Sequence, residues 1–201
     1  MRRVRKWHRI VGLILLLPFL GWVITGFIFF IKPGYQAAYA PLSVRTYPLA
    51  SGEGAALPLT DGAEEIRVLK SILGTHLLIQ RGATWANHRA DTGALWPEPA
   101  SADVERLVAD AITQNPARYG QVASTDRLQI TTTTGIRIVL DWKRMRLSQR
   151  GADTDRIDAF YRVHYMQWTG IKWVDSVVGA LALFGVAFLA LLGLRLALRS
   201  R

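Results

Sequence analysis

The chain of 201 residues contains no cysteine. Disulfide bonds, iron–sulfur clusters held by thiolates and zinc sites built on cysteine are therefore excluded within this chain. Charge is also missing from two long apolar segments, Ile10 to Ile31 and Ser176 to Leu194. As helices they would be about 33 and 28 Å long, enough to cross a hydrocarbon layer of ~30 Å. The sequence predicts a two-span membrane protein with transmembrane helices at 10–31 and 171–196.

Acidic residues are absent from both ends of the chain, although basic residues are concentrated there. The basic residues of the two flanks are Arg2, Arg3, Arg5, Lys6, Arg9, Arg195, Arg199 and Arg201. The stretch 32–175 holds the other 17 of 25 basic residues and all 15 acidic ones. Because short basic flanks mark the cytoplasmic side of a span, we expect cytoplasmic termini at 1–9 and 197–201. Nucleic-acid binding is not expected, since it would require the basic excess in the folded domain.

A cleaved signal peptide is the alternative to a retained first span, because Ala38-Tyr39-Ala40 resembles a cleavage site. The apolar run exceeds the 7–15 residues typical of such peptides. Pro41 directly follows the site, where it would stiffen the bond to be cut. We therefore expect the first span to remain as an anchor.

Small residues are spaced in both spans so that they share one face of the helix. In the first span Gly12, Phe19 and Gly26 repeat every seven residues, with His8 one turn earlier. In the second span the spacing is 3-4-4-3, at Gly179, Ala182, Val186, Ala190 and Gly193. Such faces let helices approach closely, either between the two spans, which we favour, or in a homodimer or larger membrane complex. Gly185 lies off this stripe, so we expect Gly185→Leu to disturb assembly less than Gly179→Leu.

The region between the spans has the composition of a connector followed by a small mixed domain. Residues 32–57 are rich in Pro, Gly and Ser and predict an irregular connector. Residues 58–170 predict an α+β domain in which one helix packs on antiparallel strands. Strands are expected at Glu65–Leu73, His76–Arg81, Thr84–Arg89, Leu128–Thr133, Ile136–Leu140 and Met145–Gln149. The helix is expected to begin at a capping Ser101 and to end at Asn115-Pro116.

Several segments, taken in order, resemble the PepSY-associated transmembrane family. They are Arg5-Lys6-Trp7-His8-Arg9, Ile24-Thr25-Gly26, Arg89-Ala90-Asp91-Thr92-Gly93-Ala94-Leu95 and Phe160-Tyr161-Arg162-Val163-His164-Tyr165. The resemblance implies a bacterial inner-membrane protein with a periplasmic PepSY-like domain and a link to iron uptake, haem binding or ferric-siderophore reduction. Members credited with reduction usually have four spans and more histidines than the four found here, so we expect no enzyme activity. The domain name also covers modules proposed to restrain proteases.

His8 and His164 are the candidate cofactor-binding and metal-ligating residues, because imidazole is a common axial ligand of haem iron. The helix between them is about 30 Å long, so they cannot ligate one iron within a chain. Each would pair with a ligand from a second copy or a partner. The alternatives are that His8 is an interfacial anchor beside lipid phosphate and that His164 is a packed, hydrogen-bonded residue. His76 and His88 are expected at the surface or in sheet packing.

Two functional hypotheses follow from these residues and from the resemblance. In the first, the protein is an accessory or electron-transfer component in iron or haem handling, with haem b as its cofactor. In the second, it has no cofactor, and its exported domain binds another protein, such as a protease or a subunit of a membrane complex. In both, the lipid bilayer surrounds the spans. No catalytic residues are assigned, because the chain has no Gly-x-Ser-x-Gly sequence and no phosphate-binding loop.

Overall fold

The computed structural model describes residues 2–50 and 62–198. The chain divides into two compact units. We call residues 1–36 together with 153–201 the helical unit, and residues 37–152 the sheet unit. The predicted division between connector and domain at residue 57, and positions 199–201 of the predicted cytoplasmic tail, lie outside the described residues.

Long helices stand near both ends of the described chain, and the strands lie between them in sequence. The helices are α1 (Arg2–Ile31), α2 (Tyr35–Ala38), α3 (Ser101–Ile112), α4 (Pro116–Tyr119), α5 (Ala152–His164) and α6 (Lys172–Leu198). The strands are β1 (Glu65–Ser71), β2 (Gly74–Arg81), β3 (Thr84–Arg89), β4 (Val122–Asp126), β5 (Gln129–Thr132), β6 (Arg137–Asp141) and β7 (Arg146–Arg150). This order confirms the α+β class with a long apolar helix near each end.

α1 and α6 are long and apolar enough to cross a membrane, over Arg3–Ile31 and Lys172–Leu198. Only 11% of the most apolar window of each helix is buried. The core helix of a soluble protein would be mostly buried instead. Leu17, Phe30 and Phe184 are 75, 86 and 75% exposed. These apolar surfaces are consistent with a membrane protein, in which lipid rather than water surrounds them.

Glycines bring α1 and α6 together in antiparallel fashion. A Cβ added at Gly193, late in α6, would lie 3.5 Å from Cε1 of His8, early in α1. A Cβ added at Gly185 would lie 3.0 Å from Cδ1 of Leu15. Gly185 therefore lies in the contact with α1, and the expectation that it faces away from the packing face is wrong.

The other predicted packing residues have unequal surroundings. A Cβ at Gly12 would lie 3.7 Å from a methyl group of α6, whereas one at Gly26 would meet nothing within 4 Å. Ala182 is 6% exposed, but Ala190 is largely exposed. At Gly179 the nearest atom to an added Cβ is a backbone oxygen of residue 165, at 3.9 Å.

α1 continues without interruption through Pro18. Proline has no N–H, so the carbonyl of Ile14 lacks its usual donor one turn later. The packing on α6 and on the end of α5 outweighs this local loss, because apolar surroundings strongly favour a helix that satisfies its remaining backbone groups internally.

The sheet unit contains two antiparallel sheets with the orders β1-β2-β3 and β4-β5-β6-β7. One core joins both sheets to α3. Leu78 of β2 and Ile138 of β6 are 0% exposed within it. The buried side chains of α3 follow its helical period, at Val104, Leu107, Val108, Ala111 and Ile112. The predicted apolar stripe is therefore the face that packs on the sheets.

Three elements were not predicted: the strand β4, the short helix α4, and the short helix α2, which lies in the predicted irregular connector. The predicted ends of α3 also differ from the structure, because Ala100 is the N-cap and makes no side-chain cap bond. Ser101 is the first helical residue, and α3 ends at Ile112. Asn115 caps α4 instead, and its side-chain oxygen accepts a 3.1 Å bond from the Arg118 N–H.

Candidate functional site

His164 ends α5 and lies against α1 within the helical unit. Its Nδ1 is 2.9 Å from Oγ1 of Thr25. Its backbone carbonyl accepts a 2.6 Å hydrogen bond from Nε1–H of Trp22. The imidazole meets the edge of the Phe29 ring at a centroid distance of 5.0 Å, and Tyr161 stacks on Phe29 at 4.5 Å. Aromatic packing and two hydrogen bonds therefore fix the position of His164.

The Thr25 hydroxyl determines which nitrogen of His164 carries the proton. Its Oγ1 lies 2.6 Å from the Gly21 carbonyl, to which it donates its single proton. Oγ1 can then only accept from the imidazole, so Nδ1 carries the N–H. In the neutral tautomer with Nδ1–H, the lone pair is on Nε2. Metal-binding histidines have this arrangement, with one nitrogen held by a hydrogen bond and the other available to the metal.

A cavity of about 400 Å³ opens beside His164. Its other lining residues are Trp22, Tyr165, Met166, Gly179 and Leu183. Met166 is 4% exposed and has a φ of 55°, which is uncommon for a residue other than glycine. Its thioether is a second group that can ligate haem iron. The sequence analysis missed Met166, because a single methionine carries no signal until its backbone conformation and cavity are seen.

His8 lies near the beginning of α1 and lines a second cavity of about 400 Å³. The other lining residues come from α1 and α6 and are Gly12, Leu15, Leu16, Phe19, Val186, Leu189, Ala190 and Gly193. Nδ1 of His8 is buried and has no hydrogen-bond partner among the described residues. A buried polar atom without a partner costs free energy and calls for an explanation. Gly193 leaves the space that the imidazole occupies, because an added Cβ would touch the ring.

The two histidines belong to separate sites, as expected from the sequence. His164 meets α1 at Thr25, about 26 Å along the helix from His8. The described residues contain no group of three or more His, Asp or Glu that could hold a metal ion. The two imidazoles are thus isolated, and each has an apolar cavity beside it.

The residues around both cavities fit haem b better than a bare metal ion. Haem needs one or two axial ligands and apolar walls around its ring, whereas a bare cation needs several charged or polar ligands. Arg5 lies one helical turn before His8, and Arg9 follows it directly. Guanidinium groups there suit the carboxylates of haem propionates.

A third histidine, His76 of β2, is fully buried in the sheet unit. Its Nε2 is 2.8 Å from Ser71 Oγ, and its Nδ1 is 3.1 Å from Asn87 Oδ1. Its ring stacks on Trp96 at a centroid distance of 4.4 Å. Burial lowers the pKa of His76 to about 4, although the hydrogen bond that Nδ1–H donates to Asn87 Oδ1 opposes this effect. The imidazole is therefore neutral near pH 7, and both of its nitrogens have partners.

His76 and His88 lie on opposite faces of their sheet, because His76 pairs with Arg89 while His88 pairs with Leu77. His88 is also buried, and its Nδ1 lies 3.0 Å from the Gly93 carbonyl in the turn after β3. The surface position considered for these two histidines is wrong, and both belong to sheet packing. They cannot bind one metal ion together.

No protein-family model matches this chain, and no curated protein or solved structure gives a significant match. The class of the protein follows from its own structure. Two helices long and apolar enough to span a membrane enclose, in sequence, a small antiparallel α+β unit.

Proposed function

We propose that this chain is a two-span inner-membrane protein that binds haem b through His8 and His164. It serves iron or haem handling as an accessory or electron-transfer component. The termini face the cytoplasm and the sheet unit faces the periplasm, as in the PepSY-associated family that the sequence resembles. Homodimerisation or assembly into a larger membrane complex supplies the remaining axial ligands.

The state of His164 is the observation that supports this proposal most strongly. Thr25 holds its Nδ1, which leaves Nε2 without a bond to Thr25, and His164 is one of the residues that line an apolar cavity. Haem contributes reversible one-electron chemistry when it is bound. The protein's own residues hold the imidazole in one orientation and surround the site with apolar groups that exclude water.

The proposed topology is supported by the contacts between the spans. His8 near the start of α1 meets Gly193 near the end of α6, and Leu15 meets Gly185 further along. The two helices therefore run antiparallel, as the proposal that both of their outer ends lie on one side of a membrane requires. The basic residues at these ends favour the cytoplasmic side.

An absorbance spectrum of the detergent-solubilised full chain, produced with haem supplied, tests the proposal. We expect a Soret band that weakens in His8→Ala and in His164→Ala and disappears when both are changed. A colourless wild type, or an unchanged band in the double variant, would overturn the assignment.

Thr25→Val sharpens the same test, because it removes the partner of Nδ1 and leaves the imidazole in place. We expect haem to remain bound about ten-fold more weakly, the lower end of the effect of losing a hydrogen bond behind a metal ligand. Ser176→Ala is the matched control, since its hydroxyl likewise bonds to a backbone carbonyl one turn earlier in a long helix. Equal haem affinity in Thr25→Val and Ser176→Ala would mean that Thr25 does not orient His164 for haem binding.

A second candidate function is a periplasmic module that binds another protein without a cofactor, with the spans as a tether. The cavity of about 440 Å³ in the sheet unit favours it, because this cavity lies apart from every histidine proposed as a ligand. A colourless preparation that co-purifies with one partner in a fixed ratio would favour this function over haem binding.

A further inference from the structure

β3 is an edge strand that is covered along only part of its outer side. Its inner side pairs with β2. On the outer side, the Arg89 N–H donates to the Ala94 carbonyl at 2.9 Å, and the Trp96 N–H donates to the Asn87 carbonyl at 2.8 Å. Backbone groups alternate in direction along a strand. Trp85, two residues before Asn87, therefore directs its N–H and carbonyl to the same outer side.

Residues 94–96 cover this part of the outer side, and the chain diverges from β3 after Trp96. In a continued antiparallel ladder the Trp96 carbonyl would accept the Asn87 N–H. It accepts a 3.2 Å bond from Nε1–H of Trp142 instead, and Pro97 follows. No residue of the described ranges 2–50 and 62–198 pairs with Trp85 from this side. An unpaired strand edge of this kind is a template for a strand from another chain.

A cavity of about 440 Å³ opens directly beside this edge and is partly lined by residues of β3 itself. Its apolar walls include Leu95, Leu128 and Trp142. Leu95 is 65% exposed, so its side chain is accessible to a partner. An open edge beside a side-chain cavity is the combination by which proteins recognise extended peptides.

Charge at the rim indicates what kind of segment fits. Glu98 lies at the cavity next to the open edge and has no ion pair within the described chain. Lys143 lies at the rim beside Asp141, whose carboxylate is paired with Arg144 at 3.2 Å. Of the two carboxylates that line the cavity, that of Glu98 is therefore the one without an ion pair in the described residues. A basic side chain on the added strand would be complementary to it.

We propose that β3 binds an extended segment of a partner protein as an additional strand. The segment bonds to the backbone of Trp85, places an apolar side chain in the cavity lined by Leu95, and sets a basic residue against Glu98. This inference gives the second candidate function a defined site and does not depend on haem binding.

The test uses the full chain in uncharged maltoside micelles and a fluorescent peptide of sequence Thr-Lys-Phe-Lys-Val-Thr, blocked at both ends. Fluorescence anisotropy should show saturable binding that empty micelles lack. The same peptide, N-methylated at alternate residues so that it cannot bond to a strand edge, should bind about ten-fold more weakly or not at all, a difference of one lost strong contact or more.

Two variants locate the site. Leu95→Lys and Glu98→Lys should each weaken binding about ten-fold, and neither residue is buried. Val139→Lys is the matched control, because Val139 is a 42% exposed apolar residue of β6 that does not line this cavity. It should leave binding unchanged.

Three results would each overturn the proposal. The methylated peptide could bind as tightly as the unmethylated one, Leu95→Lys could bind the peptide as tightly as the wild type, or the wild type could show no saturable binding. Cross-linking through Leu95 that joins two copies of this chain and excludes the peptide would also overturn it. Repeating the titration with His8→Ala and His164→Ala separates this result from haem binding, since both should bind the peptide as wild type does.

Discussion

The helical unit and the sheet unit use the same apolar residue types in opposite ways. In α1 and α6 the leucines and phenylalanines are mostly exposed, with Phe30 at 86% and Phe184 at 75%. In the sheet unit Leu78, Ile130 and Ile138 are all 0% exposed. The sheet unit provides its own apolar interior, whereas the apolar side chains of the helical unit remain on its surface, as is typical of helices that cross a membrane.

Polar residues show the same contrast. Ion pairs of the sheet unit, such as Arg45–Asp110 and Arg67–Glu65, are partly exposed. In the helical unit the buried Thr25 is bonded to Gly21 and His164, whereas the buried Nδ1 of His8 has no partner among the described residues. Exposed pairs contribute little in water, whereas each polar group in an apolar setting needs a partner.

The largest expected effect comes from a charge placed in the sheet-unit core. Ile138→Asp puts a carboxylate where the native side chain is 0% exposed. We expect it to cost more than about 4 kcal/mol and to unfold the sheet unit. Loss of the near-ultraviolet circular dichroism and rapid proteolysis of the sheet unit would show this. Val139→Asp, the exposed neighbour, should keep the fold, and a folded Ile138→Asp protein would contradict the core described here.

A charge on the exposed surface of α6 tests whether lipid surrounds the helical unit. Phe184→Arg should cost about 3 kcal/mol of membrane insertion, because position 184 is central in the span. In water the same change at a 75% exposed residue would be harmless. We expect a reduced share of the protein in carbonate-washed membranes. Full recovery in the membrane pellet would argue that lipid does not surround this face.

Acid should weaken the sheet unit through His76. Its pKa is about 4 in the folded protein and 6.5 in an unfolded chain, so the unfolded state binds more protons between these values. Stability is therefore retained above about pH 6.5 and falls as the pH drops to about 4, by up to about 3 kcal/mol. Thermal unfolding followed by tryptophan fluorescence at pH 7 and pH 4.5 measures the loss. His76→Gln should be less stable at pH 7 but should lose less on acidification; an equal loss would rule out His76 as the cause.

The smallest effect concerns the start of α6. Oδ1 of Asp175 accepts bonds from the Thr169 N–H at 3.0 Å and from the Thr169 hydroxyl at 2.8 Å. Asp175→Ala should destabilise the turn at the start of α6, since bonds to a charged group contribute more than neutral ones. Faster hydrogen exchange at residues 169–176 would reveal the loss. Asp175→Asn keeps one acceptor, so its rate of hydrogen exchange should lie between those of the wild type and Asp175→Ala. Exchange in Asp175→Asn as fast as in Asp175→Ala would contradict this account.

The sequence was sufficient for features that depend on local patterning. Two uncharged runs predicted α1 and α6, and alternating apolar residues with turn-forming glycines predicted most strands. β4 was missed because its sequence, Val122-Ala123-Ser124-Thr125-Asp126, has little apolar alternation and is exposed along most of its length. Only pairing with β5 makes it a strand, and pairing partners are remote information.

The site residues were predictable to a lesser degree. A histidine at each end of the spans suggested His8 and His164 as ligands, and that assignment stays a prediction. The sequence did not show that Thr25 would fix the His164 tautomer or that Met166 would adopt a positive φ. The burial of His76 was also invisible, because histidine in a strand is compatible with either face. These features depend on contacts between segments far apart in the chain.

Pro18 affects where α1 can bend. It lies along this helix between His8 and Thr25, the residue that contacts His164. The carbonyl that it leaves without a donor lies between the segment carrying His8 and the segment that meets His164. Bending concentrated at this point would let each half of the span move as a rigid rod. Bending at this one point would leave the surroundings of both imidazoles unchanged.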